Sequence, residues 1–173
     1  IWKWVLSPEY GAINNILALF GIEGPSWLQS SKWAMPAIVL ASVWKDMGYF
    51  GLMLMSGLQG INQEYYDAAA IDGAGKIKQF TRITLPLLTP TLFFVLIISL
   101  INSFQLFTQI MIMTPDGGPL GSTMVMVERI YKCGFRYYEM GTAAAYSWIL
   151  FAILLLLTMV QMKLQNKWVN YDD

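Results

Sequence analysis

Three apolar stretches, each long enough to cross a bilayer as a helix, constrain this chain more than any other feature. They run from about residue 33 to 58, from 87 to 113 and from 141 to 162, and a helix needs about 20 apolar residues to span the hydrocarbon core. A soluble helix as apolar as 149–157 would have to be buried on every side. In 173 residues only lipid and the stretches themselves can bury them, which predicts an all-α, multi-span transmembrane helical bundle.

The composition supports a membrane protein and excludes several kinds of chemistry. Hydrophobic residues make up 56% and charged residues 13% of the chain, with a mean hydropathy of +0.49; soluble domains have about 45–50% and about 25%. Eleven basic residues balance eleven acidic ones, so no net charge favours nucleic acid. Histidine is absent and Cys133 is the single cysteine, which argues against His-based catalysis, an internal disulfide and cysteine metal clusters. We therefore expect no catalytic residue and no metal site.

The segments between these stretches predict different roles. Residues 1–32 carry apolar residues at helical spacing, which predicts a short surface helix rather than a span. Residues 114–139 begin with a turn-rich run and predict a helix over about 122–132, with Ser122 or Thr123 as its N-cap. The chain begins with neither Met nor a signal peptide, and we expect it to be the C-terminal part of a longer membrane protein.

The most polar long segment, residues 59–86, carries a motif with fixed spacing. Asp67-Ala68-Ala69 is followed by three residues and Gly73, and nine further residues precede an Ile-x-Leu-Pro sequence at 83–86. This pattern resembles the EAA loop in the membrane subunits of binding-protein-dependent ABC importers, with Asp67 in the place of the usual Glu. The resemblance extends over nearly the whole chain and implies that further spans lie upstream.

The residues of this loop also predict its local structure without the resemblance. Asn62 can cap a helix whose first turns carry Glu64 and Asp67, where the helix dipole favours acidic side chains. The alanines that follow have short side chains, so another protein can approach the helix backbone closely. Gly73 is expected to end the helix with a positive φ, and Pro86 to end the loop where the next span begins. The loop is thus expected to be a short, rigid projection outside the membrane.

In the family that the motif resembles, this loop is the coupling helix, which sits in a cleft of a cytoplasmic ATPase subunit. The resemblance implies that residues 59–86 and the tail 164–173 face the cytoplasm, and that 1–32 and 114–139 face outside. It also implies a set of ATPase-coupling residues, namely Glu64, Tyr66, Asp67, Ala68, Ala69, Asp72, Gly73, Ala74, Ile83, Leu85 and Pro86.

Three further matches indicate the carbohydrate branch of that family. They are Asp72-Gly73-Ala74 in the loop, Gly117-Gly118-Pro119 followed by Thr123, and the ending at 167–171. These resemble the maltose-type and glycerol-3-phosphate-type permeases, which implies a sugar or related polyol as the solute.

The resemblance also implies the partners of the chain. They are cytoplasmic ATPase subunits that use ATP and Mg²⁺, a second permease subunit that is a paralogue, an extracytoplasmic solute-binding protein, and the bilayer of a bacterial cell membrane. No P-loop is present in this chain, so no cofactor of its own is expected.

The second stretch carries a polar stripe. On a continuous helix with 100° per residue, Thr91, Asn102, Gln105 and Gln109 fall within about 60° of one another, and Ser99 flanks them. Amides are unfavourable against lipid, so the stripe is expected to face protein or a watery path. Two interpretations stay open: hydrogen bonds between helices, or hydrogen bonds to a polyhydroxylated solute.

The first stretch contains two adjacent ionisable residues, Lys45 and Asp46, near its middle. Adjacent side chains point about 100° apart on a helix, so the two are not expected to face each other. Each would then find a partner on another helix or in a watery cleft, or would line a solute path.

Three alternatives to a sugar importer remain at this point. One is an EAA-loop permease for another solute class, such as amino acids, phosphate or peptides. The second is an integral membrane enzyme, although Lys45 and Asp46 are the ionisable residues within the three stretches that such chemistry could use. The third is a channel-forming or structural membrane protein outside the ABC class, which would not need the loop.

Overall fold

The computed structural model describes residues 1–169, except for the side chains of 166–168, so the family-like ending at 167–171 lies largely outside the described residues. The described part is helical, which confirms the all-α class. The α-helices are α1 (Trp2–Val5), α2 (Ala12–Leu19), α3 (Ala34–Gln59), α4 (Gln63–Ile71), α5 (Lys76–Gln79), α6 (Leu85–Leu87), α7 (Thr89–Phe104), α8 (Thr108–Met113), α9 (Met126–Tyr131) and α10 (Met140–Trp168). Two π-helical segments, Phe80–Thr84 and Lys132–Arg136, and two 3-10 turns, Pro115–Gly117 and Pro119–Gly121, complete the path.

Two helices of the described residues are long and apolar enough to cross a membrane. They are Ala34–Gln59, with a hydropathy of 1.3, and Met140–Gln165, with 2.2, and only 11% of each apolar window is buried. A third span exists if Lys76–Leu87 and Thr89–Phe104, which are bent by 61°, count as one. Apolar surface that is this exposed requires lipid or other apolar helices around it.

The contacts divide the chain into two compact units. The first contains Ile1–Asp46 and Ser103–Ala152, and the second contains Met47–Asn102 and the described part of Ile153–Asp173. Because α3, α7 and α10 cross these boundaries, each unit takes part of its helices from chain segments that are far apart in sequence.

The core of the first unit joins the start of α3 to α8 and to the N-terminal segment. Its buried residues are Leu6, Ala37, Ile38, Ala41, Ile110 and Met113. The loops around α2 are held by Asn14, whose amide nitrogen donates to the carbonyl oxygens of Pro8 at 3.1 Å and Pro25 at 3.3 Å. Its Oδ1 accepts from Trp27 Nε1 at 2.6 Å. Residues 1–32 thus contain the short helix that the spacing predicts, fixed in place by one buried amide.

We expect Asn14→Ala to destabilise the protein by about 1–3 kcal/mol, because it leaves buried donors and acceptors without partners. The matched control is Asn15→Ala, since Asn15 lies exposed on the same helix and the change in helix propensity is the same. Thermal unfolding of the purified full-length protein in detergent measures both variants. Equal unfolding temperatures would contradict this role of Asn14.

The expectation of one helix over 87–113 is wrong. α7 ends at Phe104, residues 105–107 are not helical, and α8 begins at Thr108. After the break, Ile110 and Met113 of α8 lie in the core of the first unit.

The helix expected over 122–132 also differs, because it begins at Met126 and has no side-chain cap. Thr123 is not an N-cap: its hydroxyl is hydrogen-bonded to that of Thr114 at 2.9 Å, and its N–H donates to the Gly117 carbonyl at 2.9 Å. Thr123 therefore closes the glycine-rich turn that precedes the helix. After Tyr131 the helix continues as the π-helical segment Lys132–Arg136.

Candidate functional site

The motif of residues 59–86 forms a helical hairpin in the second unit, and its first arm is α4. Asn62 caps α4 as expected, because its Oδ1 accepts from the Glu64 N–H at 3.0 Å. One turn later, Gln63 Nε2 donates to Asp67 Oδ1 at 3.2 Å across the exposed face of the helix. Glu64 therefore lies in the first turn of α4, where the helix dipole favours an acidic side chain, and Asp67 lies one turn further along.

The hairpin turns at Gly73, which has the expected positive φ of 74°. The Gly73 N–H donates to the Ala70 carbonyl at 3.0 Å, and the Ala74 N–H donates to the Ala69 carbonyl at 2.9 Å. This pair of bonds is a Schellman motif, which satisfies carbonyls that the helix end would leave free. No described atom lies within 4 Å of the place of a Cβ at Gly73, so backbone conformation and not space requires glycine there.

The second arm runs without a break through α5, the π-helical segment Phe80–Thr84 and α6. Pro86 therefore does not end the loop, contrary to expectation, and the chain changes direction at Leu88, where the 61° bend into α7 lies. Pro90 has no N–H to donate to the carbonyl four residues earlier. The Thr89 hydroxyl donates to that Pro86 carbonyl instead, at 2.6 Å.

Large apolar side chains protrude from this hairpin. Ile71 is 87% exposed, Ile77 is 83% exposed, and Phe80 is exposed as well. Of the predicted coupling residues, those that lie on the surface are Glu64, Asp67, Ala68, Asp72, Gly73 and Leu85, and those that are half-buried are Tyr66, Ala69, Ala74, Ile83 and Pro86. Exposed large apolar side chains on a projecting loop are typical of a surface that binds another protein.

The two helices that flank the hairpin meet at Gly57, near the end of α3. A Cβ at Gly57 would lie 2.5 Å from Thr91 Oγ1 and 2.9 Å from Leu88 Cδ1. The start of α7 can therefore approach α3 this closely only because residue 57 has no side chain. The base of the hairpin is fixed on both sides by this contact.

We expect Gly57→Leu to destabilise the second unit by about 1–3 kcal/mol, because the new side chain forces α3 and α7 apart. Gly51→Leu is the matched control, since it makes the same change in the same helix where no described atom lies within 4 Å of the Cβ position. Thermal unfolding in detergent compares the two variants. Equal unfolding temperatures for the two variants would show that the close contact at Gly57 does not stabilise the protein.

The structure does not place the candidate solute-path amides on one helix face. Asn102 lies exposed on α7, Gln105 lies in the break, and Gln109 belongs to α8. The Ser99 hydroxyl donates to the Leu96 carbonyl of its own helix at 3.0 Å. Thr91 lies against Gly57, which fits the helix-packing interpretation for that residue.

Lys45 and Asp46 pair with each other, contrary to the expectation that they would not face one another. Lys45 Nζ lies 3.3 Å from Asp46 Oδ1, and their side chains are 59% and 30% exposed. The long lysine side chain can reach its neighbour although the two Cβ atoms point apart. The charges thus partly offset each other within one helix.

The outer connection contains a group of charged residues that the sequence reasoning missed. Glu128 and Lys132 are both buried, and Lys132 Nζ lies 3.3 Å from Glu128 Oε1 and 3.6 Å from Asp116 Oδ1. Arg136 Nη1 also contacts Asp116 Oδ1. The spacing of 128, 132 and 136 is a signal for this network, because residues four apart share a helix face.

This network fixes the glycine-rich turn, in which Asp116 has a φ of 64°, onto the helical segment that follows. A cavity of about 330 Å³ lies beside it and is lined by aromatic residues as well, among them Phe107, Tyr131 and Phe135. Glu128 Oε2 has no hydrogen-bond partner among the described residues.

The hydrogen bond from Arg136 and its positive charge hold the pKa of Asp116 below its ordinary value of 3.8. Because the pKa is lower in the folded protein, the stabilisation is fully present above the unfolded pKa and is lost as the pH falls through the folded pKa. We therefore expect the contact to stay intact at neutral pH. In Arg136→Gln, the NMR titration midpoint of the ¹³C-labelled Asp116 carboxyl should rise toward 3.8.

Arg129→Gln is the control, because Arg129 is exposed on the same helical segment. An Asp116 midpoint that does not move in Arg136→Gln, or that moves equally in both variants, would contradict the assignment.

The sequence matches the family described as binding-protein-dependent transport system inner membrane component over residues 4–171. The chain belongs to this family. The family that the loop motif resembles is thereby confirmed, as is a location in the inner membrane, and the members are transport components rather than enzymes.

Similar curated proteins are permeases of named transport systems. The chain is 37% identical over 164 residues to the sulfoquinovosyl glycerol transport system permease SmoG of Agrobacterium fabrum, which covers 95% of the chain and 53% of that protein. It is 34% identical over 175 residues to the probable ABC transporter permease YesP of Bacillus subtilis, covering 100% and 56%. It is 36% identical over 172 residues to the sn-glycerol-3-phosphate transport system permease UgpA of Shigella flexneri, covering 99% and 58%.

Two solved structures are similar in fold. One is a bacterial alginate ABC transporter in complex with an alginate pentasaccharide-bound periplasmic protein, with a TM-score of 0.82 and 25% identity over 95% of this chain and 57% of that one. The other is a bacterial ABC transporter involved in the import of the acidic polysaccharide alginate, with a TM-score of 0.85 and 25% identity over 96% and 58%. The chain thus spans a little over half the length of the proteins that it matches.

Proposed function

We propose that the protein to which this chain belongs is a permease subunit of an ATP-driven importer for a sugar or related polyol. The observation that carries the proposal is the helical hairpin of residues 63–87, which combines the EAA spacing, a glycine turn and an exposed apolar surface. A channel or a structural membrane protein would have no use for such a projection.

In this proposal the hairpin binds a separate cytoplasmic ATPase subunit, which supplies the ATP and Mg²⁺ chemistry. The apolar side chains of Ile71, Ile77 and Phe80 supply contact area, and the charged side chains around them supply specificity. Closure of the ATPase dimer would move the hairpin and change the access of the spans to each side of the membrane. No bond of the solute is made or broken by this chain.

The partners outside the cytoplasm follow from the same proposal. A solute-binding protein delivers the solute to the outer connections, as the name of the family indicates and as the alginate transporter complex exemplifies. A paralogous second permease subunit completes the path for the solute.

The solute class is supported by what the names of the similar proteins have in common. Sulfoquinovosyl glycerol, sn-glycerol-3-phosphate and alginate all carry two or more hydroxyl groups. Amide side chains can donate to and accept from hydroxyls, so Asn102, Gln105 and Gln109 stay candidates for the solute path. Lys45 and Asp46 are candidates as an ion pair that can rearrange around a solute.

The test replaces Gly73 and Gly75 by the same residue, serine, in the full-length subunit. Gly73→Ser forces a side chain into a φ of 74°, whereas Gly75 has a φ of −68° and an N-cap position that suits serine. We expect ATP-dependent uptake into vesicles of the complete importer to fall at least about fivefold in Gly73→Ser, if distorting the turn costs about 1 kcal/mol or more, and to stay unchanged in Gly75→Ser.

Membrane insertion, measured by the amount of folded subunit, must be equal in all variants. Uptake that is independent of ATP, or that both serine variants leave intact, would contradict the importer proposal and favour a channel.

A further inference from the structure

The two arms of the hairpin are joined at both ends. At the turn, the Schellman motif ties Ala74 to the end of α4, and Gln79 Nε2 of the second arm donates to the Ala74 carbonyl at 3.1 Å. At the opposite end, the Tyr66 hydroxyl of α4 is hydrogen-bonded to the Thr84 hydroxyl of the second arm at 2.8 Å. Thr84 is buried and Tyr66 is half-buried, so water competes little for the buried side of this bond.

The stiffness of the hairpin depends on the hydrogen bond between Tyr66 and Thr84. The turn contains Gly73 and Gly75, and glycine permits backbone rotations that other residues resist. An arm that is fixed at the turn alone could swing about these glycines when a force acts on α4. The Tyr66–Thr84 bond joins the arms far from the turn. At that distance a small rotation at the turn would separate the two hydroxyls, so the bond opposes the rotation.

The position of Thr84 depends on the π-helical segment. A π-turn contains one more residue than an α-turn, and one residue corresponds to about 100° of rotation about the helix axis. The segment Phe80–Thr84 thereby changes the face of the arm on which Thr84 lies, and from that face the Thr84 hydroxyl reaches Tyr66 of α4. A π-turn inside a helix is rare and frequently occurs at functional sites.

Thr84 also lies one helical turn before the bend into α7. Its carbonyl accepts from the Leu88 N–H at 2.9 Å, and Leu88 contacts the Gly57 position of α3. A movement of Thr84 is therefore passed to the residue at which the chain turns into the apolar helix.

We propose that the Tyr66–Thr84 hydrogen bond is the positioning contact that makes α4 and the second arm move as one body. With the bond, a displacement of α4 reaches the start of α7; without it, part of the displacement is absorbed at the glycine turn. This inference rests on the proposed function. Tyr66 and Thr84 act through the hairpin and need not touch the ATPase or the solute.

The experiment uses the complete importer, with its ATPase subunits and solute-binding protein, in proteoliposomes. Tyr66→Phe and Thr84→Val each remove one hydroxyl and keep the shape of the side chain, and the double variant completes a mutant cycle. Tyr65→Phe is the control, because Tyr65 is the exposed neighbour of Tyr66 on α4. The readout is the amount of solute transported per ATP hydrolysed, together with the affinity of the ATPase for the permease.

We expect each single variant to lower the solute-to-ATP ratio about two- to tenfold, the range that one hydrogen bond can shift an equilibrium. The double variant should be no worse than either single variant, because all three lack the same bond. ATPase affinity should be unchanged throughout, and Tyr65→Phe should match the unaltered protein.

Additive losses would show that the two hydroxyls act separately and would overturn the proposal, as would a fall in ATPase affinity that accounts for the whole loss. Hydrogen exchange of the hairpin amides in the purified full-length subunit tests the bond independently of transport. Exchange at residues 72–75 should be faster in Tyr66→Phe than in Tyr65→Phe, and equal rates would overturn the proposal. If this difference is seen but the unaltered importer shows no ATP-driven uptake, the proposed function fails while the rigid hairpin stands.

Discussion

A helix that faces lipid must satisfy its own backbone, because the hydrocarbon core offers no water to its N–H and C=O groups. A hydroxyl side chain in such a helix must find a partner for the same reason, and two serine hydroxyls here donate to carbonyls of their own helix. The Ser99 hydroxyl donates to the Leu96 carbonyl, and the Ser147 hydroxyl donates to the Ala143 carbonyl at 2.9 Å. At the bend into α7, the Thr89 hydroxyl supplies the bond that Pro90 cannot give. The chain can therefore change direction between loop and span without leaving the Pro86 carbonyl unpaired.

The sequence predicts well the features whose bonding partners are close along the chain, and it predicts poorly those whose partners are distant. The cap at Asn62 and the turn at Gly73 depend on groups within five residues of one another, so local patterns suffice to predict them. The break after Phe104 depends on the core that receives Ile110 and Met113. A helical pattern continues across 105–107 in the sequence, and only the distant packing partners explain why the helix does not.

Partners that are distant in sequence also explain the remaining differences. Thr123 is a good N-cap residue by type, but Thr114 and Gly117 take its hydroxyl and its N–H. The periodic charges at 128, 132 and 136 could have indicated a network, whereas their link to Asp116, 20 residues before Arg136, could not be seen without the fold. The polar stripe of the candidate solute path is predicted for an unbroken helix. It does not exist as one helix face because Gln105 lies in the break between α7 and α8.

The hairpin and the helices around it are held by hydrogen bonds and close contacts, and the hairpin turns through the left-handed conformation of Gly73. Gly73 supplies the one conformation at the turn that most other residues would resist, and the bonds at Ala69 and Ala70 keep it in that conformation. A projection built in this way can transmit force only if its base is equally firm. At its base, Gly57 has no side chain, so the side chains of Leu88 and Thr91 at the start of α7 pack directly against the backbone of α3. The two glycines thus have different roles. Gly73 allows the chain to turn, and Gly57 allows α3 and α7 to pack closely.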